Sequence, residues 1–383
     1  MNIVIISPFE NSLTKRGNRL PFLSELLVKS GFNVKYVSSN FYHAEKRSFS
    51  SKEVLVAKKN QKYDQMFFSV PGYQSNFSIS RMITHQIFSI KVFLYLISQP
   101  SPNLVIIPSR PPELIFLVNL TKFLKKFKLI IDISDTWPEG FPKRDFFYLL
   151  FSIYCNLFQY FSIPSNKNFI FTSPMFLEWI FKYQKNCEPR FITLGYDKER
   201  WSENKPLEKI GKEKKIFYIG NIAQTINLYP LINGIKGFKD WSLTIIGGGD
   251  RLEETKNFVR DNNIKNVFFK GFVKKNVLPS LIKEYNISVI PFDKAGMPNK
   301  LFDSIAAYKP ILAFGENDTT KFITENDIGW VLGFNVNEVI KFLSDLEDSD
   351  IIKKSKNILK IREQYSKDYI YNQFFEYIKE VLS

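Results

Sequence analysis

Cysteine and histidine are the scarcest chemistry-bearing residues, with two of each in 383 positions: Cys155, Cys187, His43 and His85. That is too few for a disulfide framework or a four-ligand zinc site, so a reducing compartment and no structural metal are expected. Glycine and proline stay low, at 17 and 19 residues, which excludes fibrous and low-complexity architectures. No basic segment precedes Met1-Asn2-Ile3-Val4-Ile5-Ile6-Ser7-Pro8 and no small-residue cleavage site follows it, so it reads as a buried strand and not a signal peptide. Several motifs are missing. Gly17 stands alone, Gly220 opens a lone glycine turn, and Gly247-Gly248-Gly249 lacks a third glycine at the dinucleotide offset. Without Gly-x-Gly-x-x-Gly, a Walker A loop or Gly-x-Ser-x-Gly, nicotinamide dehydrogenases, P-loop enzymes and serine hydrolases have no footing.

Positive charge is plentiful: 53 Lys and Arg face 38 Asp and Glu, a net +15. The excess is uneven, since residues 1–188 hold 23 basic against 12 acidic side chains, a net +11. Nucleic acid is not expected as a partner, because no basic helix with interleaved aromatics accompanies the charge. An anionic membrane surface, phosphorylated substrates and a plainly solvated surface remain open. Residues 146–163 run without a charge but include Ser152, Asn156, Gln159 and Ser162 and many aromatics. Such a stretch suits either a membrane interface or a core helix of the first domain, better than a spanning helix.

The chain length suggests two domains. Leu20, Leu23, Leu26 and Leu27 mark a helix that Gly31 closes, and Phe32 to Val37 alternates as a strand. Short β-branched runs recur at 104–107, 129–133 and 169–172, each separated by helical pattern. After a connection over 189–214, a second series begins at 216–220, 243–247, 267–269, 287–290 and 311–314. This alternation predicts two parallel α/β sheets covered on both faces. The expected domains are 1–188, 189–365 and a closing helix, 366–383, that packs back on the first domain.

Open α/β sheets bind ligands at strand carboxyl ends. The richest such loop runs from Pro291 to Pro310, where Pro298-Asn299 is a plausible helix start and Lys300 adds a positive charge. Asp303 shares a face with Lys300 and could accept both hydroxyls of a ribose, or simply pair with Lys300.

Met297 to Leu312 resembles the signature of retaining GT-B glycosyltransferases of family four. Tyr218-Ile219-Gly220-Asn221, Thr244 to Gly249 and Val267 to Val273 resemble further boxes of that family in the same order. Asp132-Ile133-Ser134-Asp135-Thr136-Trp137-Pro138-Glu139 is similar to a box of bacterial surface-polysaccharide members, among them the N-acetyl-fucosamine transferase type, as are Pro71 to Asn76, Arg81 and His85. The resemblance implies two Rossmann-like domains facing across a cleft, with a nucleotide-sugar donor on the second and an acceptor on the first, and no metal or cofactor. Carried over, Gly17 and Asn18 approach the phosphates, Gly220, Asn221, Gly247 and Gly248 border the donor, and Phe272 and Val273 present backbone to the base. Met297, Pro298, Asn299 and Lys300 hold the diphosphate, and Asp303 the ribose. Asp135, Glu139 and His85 are the candidates for base or acceptor positioning. The family's first donor-orienting acid falls at Ala295, its usual Arg at Asn221, and its following Lys near Ile226 and Asn227. Lys294 or Arg16 would then share the phosphate charge. The activity so implied is sugar transfer, with UDP favoured over GDP, to a lipid-linked saccharide for surface polysaccharide. The enzyme is expected in the cytoplasm, peripheral on the inner membrane face. A nucleotide-sugar epimerase of the same shape and a non-catalytic partner subunit are the alternatives.

Overall fold

The computed structural model describes residues 1–14, 19–141, 146–292 and 296–383. Contacts divide the chain into two compact units, Met1–Ile192 with Tyr371–Ser383, and Thr193–Ile370. Each unit is built on a doubly wound parallel sheet, so both Rossmann-like domains read from the sequence are present.

In the first unit β1 (Asn2–Ser7) leads through α1 (Arg19–Lys29) to β2 (Asn33–Ser39). A hairpin of β3 (Phe41–Tyr42) and β4 (Arg47–Ser48), then α2 (Ser51–Asn60), precede β5 (Asp64–Phe68). Next come α3 (Ile79–Ser98), β6 (Leu104–Pro108), α4 (Pro112–Lys125), β7 (Lys128–Ile133), α5 (Phe146–Ser162), β8 (Asn168–Phe171), α6 (Phe176–Tyr183) and β9 (Arg190–Phe191). The sheet order is β5-β2-β1-β6-β7-β8-β9, and it reverses between β1 and β6. Both central strands are buried along their apolar runs, as continuous Ile, Val and Leu require in a sheet covered on two faces. The hairpin and β5 were not anticipated, because Asp64-Gln65-Met66-Phe67-Phe68 has no β-branched residue to mark it.

Only a narrow stripe of α5 faces inward, through Phe151, Cys155, Gln159 and Ser162. Phe146, Phe147, Leu149, Leu150, Ile153, Leu157, Tyr160 and Phe161 are exposed, which corrects the core-helix reading. By length and composition Phe146–Ser165 could also cross a bilayer, with 28% of its most apolar window buried.

The second unit repeats the scheme with β10 (Lys214–Ile219), α7 (Tyr229–Ile235), β11 (Trp241–Ile246), α8 (Leu252–Asp261), β12 (Val267–Gly271), α9 (Leu278–Ile282) and β13 (Ile287–Ile290). It continues through α10 (Asn299–Ala306), β14 (Ile311–Phe314), α11 (Asp318–Glu325), β15 (Gly329–Leu332), α12 (Val336–Asp345) and α13 (Asp348–Ile361). Its order, β12-β11-β10-β13-β14-β15, reverses between β10 and β13. The last helix, α14 (Lys367–Leu382), buries Phe374 and Ile378 completely. Within the first unit Tyr371 lies 4.5 Å from the ring of Phe22, and Phe375 lies 6.1 Å from that of Phe32.

Candidate functional site

In a doubly wound sheet the carboxyl ends at the reversal point diverge and leave a crevice. In the second unit that crevice begins at Gly220, whose φ is +153°. A Cβ there would lie 2.9 Å from Tyr218 Oη and 3.2 Å from Lys300 Nζ, and the positive φ itself favours glycine. Gly247, with φ +137°, is pressed against the same turn: a Cβ would stand 2.0 Å from the carbonyl oxygen of Gly220. Its first duty is therefore packing. Gly248, beside it, has open space around its Cα, while its carbonyl accepts from the amide of Ile222 at 2.8 Å.

Pro298 precedes α10 in an extended conformation and offers no side-chain cap, so the amides of Asn299 and Lys300 have no acceptor within the helix. Lys300 Nζ donates to Tyr218 Oη at 3.2 Å and lies 4.3 Å from the centre of that ring. Burial pulls its pKa down to about 7. Among the described residues no carboxylate pairs with it. A half-buried ammonium of this kind, beside a helix start, favours an anion.

Asp303 lies one turn on. Burial pushes its pKa up to about 6, against the opposing pull of Arg200, Lys275 and Lys367. The reading in which it neutralises Lys300 is corrected, since Lys300 turns to Tyr218 and no ion pair joins the two among the described residues. Met297 is also corrected as a ligand-facing side chain: it is 6% exposed and packed with Leu301 and Phe302, leaving only its backbone for a ligand. Phe272 is exposed, Val273 is half-buried, and exposed Asn221 accepts from Tyr218 Oη at 2.8 Å. Lys309, from the same signature, is structural, buried and donating to the carbonyl of Tyr285 at 2.6 Å. Gly17 and Asn18, with Arg16, Lys294 and Ala295, lie outside the described residues.

A second cluster occupies the reversal point of the first unit. Phe9 follows β1, His43 and Lys46 sit in the β3–β4 hairpin, and Tyr73 follows β5. Arg81 and His85 lie on α3, Arg110 follows β6, and Asp135 and Trp137 follow β7. His85 is buried and stacked on Trp137, ring centres 5.5 Å apart, with Phe9 edge-on at 5.2 Å. Burial, then Arg81, His43, Arg110 and Lys46, hold its pKa well below the ordinary imidazole value. An imidazole so placed resists taking a proton, which speaks against the base among the two roles expected for His85. Asp135 forms an ion pair with Arg110. Glu139 does not join them, for its carboxylate turns to Lys182 of α6 at 3.7 Å. Asp132 is structural: it accepts from Arg19 Nε at 2.8 Å and so ties the start of α1 to the end of β7. Sequence reasoning missed Phe9, His43, Lys46 and Arg110. The available signal was a charged residue, Arg110, two residues after the wholly buried strand β6.

Residues 199–360 match the family described as Glycosyl transferases group 1. A probable glycosyltransferase of Pseudomonas aeruginosa, WbjE, is 23% identical over 294 residues, covering 70% of this chain and 72% of that protein. Among solved structures, HepE of Anabaena in complex with UDP superposes with a TM-score of 0.70 at 12% identity, covering 99% of this chain and 100% of that one. WaaG, a glycosyltransferase involved in lipopolysaccharide biosynthesis, does so with a TM-score of 0.70 at 12% identity, covering 97% and 98%. These structural likenesses establish the fold.

Proposed function

From a chain with the GT-B fold that carries a glycosyl transferases group 1 domain over residues 199–360, we propose a transferase that moves a sugar from a nucleoside diphosphate to a lipid-linked saccharide in bacterial surface-polysaccharide synthesis. The observation that carries this reading is Lys300, a half-buried ammonium whose only described side-chain partner is a phenol, at the start of α10 and beside Gly220. The diphosphate sits against Lys300 and the amides of Asn299 and Lys300, with Pro298 and the backbone of Met297 shaping the approach. Gly220, Asn221, Gly247 and Gly248 border it, Phe272 and Val273 receive the base, and Asp303 accepts from the ribose hydroxyls. UDP is the favoured nucleotide, a choice supported by the UDP complex of HepE.

As the glycosidic bond breaks, negative charge grows on the leaving diphosphate, and Lys300 with the helix start stabilises it. In a retaining reaction the acceptor hydroxyl attacks from the side the diphosphate leaves, and the diphosphate takes the proton. Asp135 and His85 then orient the acceptor. Neither the epimerase nor the non-catalytic alternative gains support from the matches.

The acceptor's lipid places the first unit at a membrane. Helices α3, α4 and α5 expose Ile79, Ile83, Ile90, Leu94, Phe123 and Leu124 besides the stripe of α5. Their only carboxylate, Glu113, is buried, while Lys91, Lys122 and Lys125 are positive. Apolar helices whose accessible described charges are all positive suit the anionic inner surface of a cell membrane.

Calorimetric titration with UDP and GDP tests the donor site. UDP binding by the wild type is expected to weaken about 10- to 100-fold in Lys300→Ala, the range for one charged hydrogen-bonding partner. Equal affinity in the variant would remove Lys300 from the site, and no binding of either nucleotide would end the donor reading.

A further inference from the structure

The first unit gathers positive charge where its sheet opens. Lys46 Nζ lies 4.7 Å from the ring centre of Tyr73, and Arg81 lies 5.4 Å from the same ring and 4.7 Å from that of Trp137. Arg110 stands 5.1 Å from the ring of Phe9, which itself contacts both His85 and His43. Against these three cations the described residues set one ion-paired carboxylate, Asp135 on Arg110, and the buried Glu10, which also acts on Arg110 and whose pKa is pushed up to about 7 by burial and then by Asp132. The two imidazoles add no counter-charge. His43 Nδ1 is 2.6 Å from Tyr73 Oη, and its pKa is pulled down to about 3 by burial and then by Arg81, Lys46 and Arg110.

Packing like charges together in a half-dry pocket is unfavourable unless an anion offsets it. The cost is visible in the groups themselves. Lys46 is pulled down to about 8 by burial and Arg81, and Arg110 to about 10 by burial and Arg81. Arg81 is only 8% exposed, yet its Nε has no hydrogen-bond partner, and the Nε of Arg110 has none either. Lys46 hydrogen-bonds the Asn76 side chain and is held with φ +53° in the hairpin turn, half-buried at the edge of the pocket.

We propose that Lys46, Arg81 and Arg110, set around Tyr73 and His43 at the carboxyl edge of the first sheet, form a second oxyanion site that binds a phosphate or diphosphate group of the acceptor. It rests on the reading that the first unit takes the acceptor. The carboxylates act on Arg110, so among the described residues Lys46 and Arg81 have no carboxylate partner, and two such cations match a doubly charged phosphate group better than a single carboxylate. The guanidiniums supply forked donors for its several oxygens, and Lys46 supplies a point charge at the mouth. The aromatic walls of Tyr73 and Trp137 keep water away and strengthen the attraction.

The test is calorimetric titration of the full chain with inorganic pyrophosphate while UDP is held at saturation. Pyrophosphate is expected to bind the UDP-loaded protein. Lys46→Gly, a change that the positive φ welcomes, and Arg110→Gln are each expected to weaken it about tenfold or more, with UDP affinity unchanged. Displacement of pyrophosphate by UDP, or wild-type affinity in both variants, would overturn the proposal. So would tighter binding of glucuronate than of pyrophosphate, which would make the site one for carboxylates. Farnesyl diphosphate in detergent micelles separates the two sources of the group. Tighter binding than pyrophosphate assigns the site to a lipid diphosphate, and equal binding assigns it to a phosphate borne elsewhere on the acceptor. If UDP fails to bind while pyrophosphate binds in a Lys46-dependent way, the donor reading falls and this site stands.

Discussion

Lys300 and Asp303 do opposite things with the same burial. Losing water pulls the ammonium down to about 7 and pushes the carboxyl up to about 6. In the donor site proposed above, Lys300 holds a diphosphate only when protonated, the form favoured below its pKa. Asp303 accepts ribose hydroxyls only when ionised, the form favoured above its own. UDP-glucose, whose bridged diphosphate does not titrate near neutrality, is therefore expected to bind best between pH 6 and 7. Each limb should fall by up to about tenfold per pH unit, the limit for one coupled proton. Asp303→Asn should flatten the acidic limb and Lys300→Ala the alkaline one, both read by titration calorimetry across pH. A wild-type profile flat from pH 5 to 9 would remove both groups from the binding site. The pair was legible in the sequence because both residues lie in one segment at i and i+3. Arg200, Lys275 and Lys367 were not, since nothing in their spacing says that the fold sets them around Asp303.

At the scale of the element, two neighbouring glycines carry different burdens. Gly247 is pinned by the turn after β10, with a left-handed φ and no room for a Cβ, whereas Gly248 has neither constraint. Gly247→Ala is expected to lower stability by about 1–3 kcal/mol and to weaken UDP, because the displaced turn carries the space for Lys300. Gly248→Ala should leave the unfolding free energy within about 0.5 kcal/mol of wild type, as surface changes usually do. Urea unfolding of the two variants decides this, and equal losses would refute the distinction. The glycine run was visible as a motif, but its division of labour was not, because the clash comes from Gly220, 27 residues away along the chain. The converse holds in the β3–β4 hairpin. Its strands are two residues long, too short to register as a pattern, yet the turn between them delivers His43 and Lys46 to the first unit's cluster.

Over the whole molecule, charge and apolar exposure fall on the same unit. The excess of +11 in residues 1–188 accompanies the apolar face of α3, α4 and α5. Replacing Phe147, Leu150, Ile153 and Leu157 together by Ser is expected to abolish co-sedimentation with phosphatidylglycerol-containing vesicles at low salt. The melting temperature should change little, since all four side chains are exposed. Undiminished vesicle binding would show that this face is not the one that meets lipid. The sequence by itself determined the two parallel sheets, the loop-to-helix segment that holds Lys300 and Asp303, and the charge asymmetry, because helical and strand periodicity, local spacing and composition are properties of the chain read in order. Only the tertiary structure decided which groups share a pocket. It released Lys300 from Asp303, turned Glu139 away toward Lys182, sank Met297 into the core and surrounded His85 with cations. Each of these depends on crossover connections that bring distant loops to one sheet edge, and on the burial found there, neither of which a one-dimensional pattern contains.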